Sequence, residues 1–298
     1  MKQNKEIILI AGGTGFIGKH LIKILYEKHE IRILTRNKDK LIDKIFYFWN
    51  PDENLIDETC FENVTVIINL CGEGIADKRW TNSRKKILLE SRVKPATFLH
   101  QKVSNLQNLK LYLSASGINC YPLNNSEKIY KETNDFGSDF VSQLVKQWEN
   151  AANLFKSTCK VVKIRIGFVI ANNEGGITKI EKPIKMGFGA VLGRGNQPLP
   201  WIHIKDLVRL ISFCIDKNLE GTYNANSNHT TNLELTNLLA KKNKRKIFLP
   251  NVPKWILNII LGELSNLLLT GVFVSNQKIK EEGFVFEQDN IEKVFNIA

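Results

Sequence analysis

At 298 residues, with 43% apolar and 24% charged residues, the chain is long enough to bury a large core and is neither disordered nor fibrous in composition. Its five cysteines are scattered, odd in number and without a Cys-x-x-Cys pair, which argues against a disulfide framework or a metal site and suits a cytoplasmic protein. The net charge of +12 is mostly lysine spread along the chain, so no nucleic-acid partner is expected.

No secretory leader is read in the polar Met1–Glu6. The apolar run Ile7–Ile10 breaks at once into Gly12-Gly13-Thr14-Gly15-Phe16-Ile17-Gly18. A helical pattern follows, with Phe16, Ile17, Leu21, Ile24 and Leu25 on one face. Strand, glycine turn and helix in that order are what a dinucleotide-binding crevice needs. Gly12 permits the tight turn, Gly15 lets backbone approach a pyrophosphate, and Gly18 lets helix and strand pack closely. The phosphates would rest on the free N–H groups of the helix N-terminus.

The second strand, Glu30–Arg36, ends in Thr35-Arg36. An NAD site places an acid here to take hydrogen bonds from the ribose; this chain offers a guanidinium instead, suited to the 2′-phosphate of NADP(H). Ile45–Trp49 reads as a third strand and Val64–Leu70 as a buried fourth, with Leu70-Cys71-Gly72-Glu73-Gly74 leaving at the ligand-binding edge. A polar helix pattern spans Thr81–Val103 and carries Arg84 and Arg92. Leu109–Ser116 is a fifth strand, Asp135–Phe155 a helix capped at Ser138 or Asp139, and Val161–Val169 a sixth strand.

This alternation predicts an α/β fold, a Rossmann-type doubly wound parallel sheet with a smaller, mainly C-terminal substrate-side region. The predicted Rossmann domain covers 1–170, with 201–226 returning to it. The smaller domain takes 171–200 and 227–298. Within these, 172–200 reads as a ligand-wrapping loop, His203 stands at a strand–helix junction with no role assigned, and Thr231–Lys242 is a helix. Trp255–Val274 is very apolar, yet Asn258, Gly262, Glu263, Ser265 and Asn266 make a membrane span too costly. A buried or partner-facing helix, broken near Gly262, is expected.

The glycine motif with Leu34-Thr35-Arg36 resembles the extended short-chain dehydrogenase/reductases. Asn69–Ile75, Lys78–Thr81, Ser91-Arg92, Arg165–Gly167, Leu192–Gly195 and Trp201–Leu207 resemble an atypical subgroup labelled epimerase family protein, or nucleoside-diphosphate sugar epimerase, with its own small C-terminal domain. The resemblance implies NADP(H) held by Gly12, Thr14, Gly15, Phe16, Ile17 and Gly18, by Thr35 and Arg36 at the 2′-phosphate, and by Leu70, Cys71, Gly72 and Glu73. It also implies Arg92 at the phosphates and Val169 near the nicotinamide.

The usual catalytic tyrosine with lysine four residues on is missing. Where the pair is expected, the chain reads Phe140 or Val141 and Leu144 or Val145, and Lys146 is out of register. Ser116, Tyr121 and Lys146 remain as catalytic candidates. The readings are an NADP(H)-dependent oxidoreductase or epimerase on an unknown small molecule, or a redox-responsive protein that binds NADP(H) without turnover. A nucleic-acid or membrane-surface role, motivated only by charge and the apolar C-terminal helix, ranks below both.

Overall fold

The computed structural model describes residues 5–103, 106–123 and 127–297; the first four residues, where no leader was read, lie outside it. The chain opens with β1 (Ile7–Ala11), α1 (Phe16–Leu25), β2 (Glu30–Thr35), β3 (Phe46–Asn50) and β4 (Leu55–Ile56). It then returns through β5 (Val66–Asn69), α2 (Asn82–Val103), β6 (Leu111–Gly117), β7 (Ile129–Tyr130), α3 (Phe140–Asn153) and β8 (Lys160–Ile166). The remainder is β9 (Phe168–Ile170), α4 (Ile177–Lys185), β10 (Pro198–His203), α5 (Ile204–Asp216), β11 (Gly221–Ala225), β12 (Asn228–Thr231) and α6 (Asn232–Lys242). Short elements close the chain: α7 (Lys254–Leu261), α8 (Leu264–Leu269), β13 (Phe273–Val274), α9 (Gln277–Glu281) and α10 (Ile291–Val294).

Eight strands form one sheet in the order β11-β8-β6-β5-β1-β2-β3-β4, parallel except where β4 turns back on β3. The α/β doubly wound expectation therefore holds. Strand periodicity explains its two faces. Ile8 and Ile10 point one way, onto Leu21 and Leu25 of α1 and Leu207 and Ile211 of α5. Leu9 and Ala11 point the other way, onto Phe98 and Leu99 of α2 and Phe155 after α3. With both faces covered, β1 and β5 are continuous apolar runs rather than alternating ones.

The connection leaves β1 toward β2 and β3, then comes back to place β5 on β1's other side. That reversal opens a crevice at the carboxyl ends of β1 and β5, where ligands bind in open α/β sheets.

Several local expectations are corrected. The sixth strand is two: β8 ends at Ile166, and at Gly167 the chain leaves for a second sheet, β12-β10-β9. A side chain at 167 would meet the Pro200 carbonyl oxygen at 2.8 Å, so only glycine allows the crossover. The segment 172–200 is not all loop, since it contains α4. The apolar stretch after Trp255 is two short helices and a strand, parted at Gly262 (φ +60) as the composition suggested. No helix among the described residues is long and apolar enough to cross a membrane.

Candidate functional site

The glycine turn is built for contact with the crevice. Gly12 has φ +79, and a Cβ there would stand 2.8 Å from the carbonyl carbon of Leu70, so the exits of β1 and β5 touch backbone to backbone. Gly18 is equally constrained: its Cβ would meet the Gly12 and Gly13 oxygens at 2.6 Å. Gly15 is the N-cap of α1 and supplies no side-chain acceptor, and the first turn holds no acid. The N-terminal amides and the positive helix end are thus left to a ligand.

At the end of β2, Thr35 is buried and its Oγ1 accepts the Asn37 N–H at 3.1 Å, which fixes the turn beyond. Arg36 is exposed and has no hydrogen bond or ion pair with any described residue. It acts electrostatically across the crevice on Cys71, whose thiol burial pushes up to about 12 while Arg36 pulls it down. Phe16, Ile17, Leu70 and Val169, all partly buried, pack on one apolar cluster at this sheet edge. The turn after β9 closes over the glycine motif, since a Cβ on Gly175 would lie 2.8 Å from the Phe16 ring and His20 Nε2 stands 3.2 Å from Glu174.

Two buried arginines shape the loop after β5. Arg84 Nη1 donates to Glu73 Oε2 at 3.1 Å, and Nη2 to the Gly74 carbonyl at 2.9 Å. Arg92 donates to the carbonyls of Leu88 (2.8 Å) and Glu73 (2.9 Å) and lies on the Trp148 ring. Burial, with Arg84 nearby, lowers Arg92 to about 10, and its Nε is buried without a partner. Nη1 of Arg92 also donates to Ser91 Oγ at 3.3 Å, so both terminal nitrogens bond within this loop and helix. Gly72 rests on this guanidinium, which a Cβ would approach to 3.2 Å.

Beneath the carboxyl ends of β6, β8 and β11 lies a closed polar network. Glu149 Oε1 accepts from Ser116 Oγ at 2.8 Å and Arg165 Nε at 2.7 Å, while Oε2 accepts from Arg165 Nη2 at 3.1 Å. Lys163 adds an ion pair at 3.4 Å. Arg165 Nη1 donates to Tyr121 OH at 2.9 Å, and that hydroxyl donates to Asn224 Oδ1 at 2.8 Å. Burial alone would raise Glu149, but the Arg165 contacts outweigh it and hold the carboxyl below its ordinary range.

Of the three catalytic candidates, Ser116 and Tyr121 are linked only indirectly, through Glu149 and Arg165, and Lys146 is not part of that network. Tyr121 is fully buried, spent on the network and raised by desolvation. Lys146 lies on the exposed face of α3, one residue past Val145, which packs inward. Ser116 alone sits at the strand edge beside a carboxylate. His203 caps α5, its Nδ1 accepting the Lys205 N–H at 3.3 Å, which is a structural role.

Comparison with known proteins fits this architecture. Residues 8–142 match the NAD dependent epimerase/dehydratase family, and 252–296 match a domain of unknown function, DUF1731. The epimerase family protein SERP0438 of Staphylococcus epidermidis is 32% identical over 95% of both chains. The chain belongs to the epimerase family. The mouse epimerase family protein SDR39U1 is 28% identical over 94% of each chain. The crystal structure of human epimerase family protein SDR39U1 (isoform 2) with NADPH superposes with a TM-score of 0.85 and 26% identity, covering 97% of each chain. A nucleoside-diphosphate sugar epimerase from Corynebacterium glutamicum shares the fold (TM-score 0.78, 23% identity, 98% of this chain and 57% of that one).

As a member of this NAD(P)-binding family, the chain has a crevice whose parts fit a dinucleotide: a cradle that any Cβ would fill, an uncapped helix end and an unpaired arginine at the end of β2. Sequence reasoning missed Glu149, Arg165 and Arg84 as a supporting frame. The signal was present. Arg165 is a cation inside the apolar strand Val161–Ile166, and Glu149 is an acid beside Trp148 on the inward face of α3, an arrangement that burial tolerates only when the charges meet.

Proposed function

We propose that this epimerase-family chain binds NADP(H), with the glycine turn and α1 N-terminus under the pyrophosphate and Thr35 and Arg36 at the 2′-phosphate. The single observation that carries the reading is Arg36: a cation at the end of β2, exposed and without a carboxylate partner, where a 2′-hydroxyl site needs an acid. Leu70, Cys71, Gly72, Glu73 and Val169 line the way toward the nicotinamide.

The chemistry follows from what the bound cofactor supplies, namely a hydride given to or taken from a small molecule. The protein is then an oxidoreductase or epimerase without a Tyr-x-x-x-Lys pair. Ser116 is the residue for the substrate oxygen. Its hydroxyl hydrogen points to Glu149, so its lone pairs face outward to accept a hydrogen bond from a substrate hydroxyl and orient that oxygen, while Glu149 stays ionised and fixes the serine. Lys146, turned to solvent, has no part in this scheme, and Tyr121 only holds Arg165.

One observation favours a second reading, binding without turnover in a regulatory or redox-sensing role: Ser116 is itself almost wholly buried. Parallel titration with NADPH and NADH, followed by a single-turnover screen against carbonyl and alcohol substrates, separates them. Tight NADPH binding with hydride transfer that S116A abolishes supports the enzyme. Tight binding with no transfer supports the second reading, and equal affinity for both cofactors removes the role of Arg36.

A further inference from the structure

Between Glu234 and Glu263 the chain has no acidic residue, while Lys241, Lys242, Lys244, Arg245, Lys246 and Lys254 all fall there. Of these, Lys244, Arg245, Lys246 and Lys254 form no ion pair with any described residue. The same stretch holds apolar side chains that folding leaves in water: Phe248 is 81% exposed, Trp255 63%, Ile259 65% and Ile260 62%. Phe188 joins them, because the turn it occupies runs beside this stretch. The Val252 N–H donates to the Val191 carbonyl at 2.8 Å, and a Cβ on Gly189 would touch Ile247.

Helix α7 is apolar nearly all round, but only Leu257 is buried. An uncovered apolar helix face, with cations at its approach, marks a surface that another body covers. We propose that this face, from Lys244 to Ile260, docks on an anionic lipid surface. Charge selects this cover over a second copy of the chain: two such faces would bring the same unpaired cations together, whereas anionic headgroups neutralise them. The residue types agree, since tryptophan and isoleucine enter the headgroup–acyl boundary while lysine and arginine stems reach back to phosphate. No spanning is involved; α7 is eight residues long and lies flat.

The test uses the full chain with vesicles of phosphatidylcholine alone or of equimolar phosphatidylcholine and phosphatidylglycerol. Trp49, Trp80, Trp148 and Trp201 are buried, so a change in tryptophan emission reports Trp255. The expected result is co-flotation with the anionic vesicles only, a blue shift, and weakening on the order of tenfold for each of K244E, K246E and I259Q. These exposed substitutions leave the thermal unfolding curve in place, which excludes misfolding as the cause. Failure of the folded protein to bind anionic vesicles overturns the proposal. So does binding that survives all three substitutions, or a dimer or captured acidic protein that I259Q abolishes without any vesicle binding.

Discussion

Gly12 and Leu70 meet backbone to backbone across the point where the sheet reverses its strand order. A Cβ on Gly12 would lie 2.8 Å from the Leu70 carbonyl carbon and 2.9 Å from its oxygen, at a φ of +79 that other residues rarely adopt. Two backbones cannot yield as a side chain would. G12A should therefore destabilise the protein by about 1–3 kcal/mol from backbone strain alone, read as a lower urea midpoint at unchanged slope. It should also remove NADPH binding under conditions where the variant is still folded. A variant that binds NADPH normally would separate the crevice from the cofactor site.

Arg36 offers the sharpest test of cofactor choice because it has no hydrogen bond or ion pair with any described residue. R36A should weaken NADPH by roughly tenfold to a hundredfold, the range expected for lost charge-assisted hydrogen bonds. It should leave NADH and the unfolding midpoint unchanged. Calorimetric titration with both cofactors gives the answer, and equal losses for both would mean that Arg36 shapes the loop rather than reading the phosphate.

Much of this was legible in the chain because local patterns carry it. The glycine turn follows an apolar strand and precedes a helical face, and those periods locate β1, α1 and the crevice without any tertiary knowledge. What stayed hidden depends on contacts far apart in sequence. The partnership of Ser116 with Glu149 spans 33 residues and that of Tyr121 with Asn224 spans 103, and no spacing rule joins them. Tyr121 looked available as a loop residue following a strand end, yet Arg165 and Asn224 draw it fully inside. The crossover at Gly167 was missed for the same reason, since its cause is Pro200 on a later strand.

The Glu149–Arg165 pair gives a prediction about stability with little ambiguity. Both are almost wholly buried and joined by two hydrogen bonds. R165M leaves Glu149 with only Lys163 and Ser116, and should cost about 3–5 kcal/mol, the usual loss when one member of a buried pair is removed. The double variant E149L/R165M should cost less than the two single losses added together, because no orphaned charge remains. Additive losses in a urea denaturation cycle would show that the two side chains act independently.

His229 sets an expectation for acid stability. Its Nε2 accepts the Val274 N–H at 2.9 Å, which ties the last strand to β12, and burial lowers the ring to about 4 from an ordinary 6.5. Between those values the unfolded chain binds a proton that the folded chain refuses, so stability must rise with pH across the window. It is complete above 6.5 and lost progressively as the pH falls toward 4, by roughly 3 kcal/mol if the whole shift is expressed. In H229Q the amide oxygen can still accept from Val274, but the side chain does not titrate. Unfolding midpoints measured across this range should fall less steeply for H229Q than for the unsubstituted chain. Parallel slopes would assign the acid sensitivity to carboxylates such as Glu149, whose depressed ionisation also withdraws stability at low pH, but only as the pH drops through the carboxylate range.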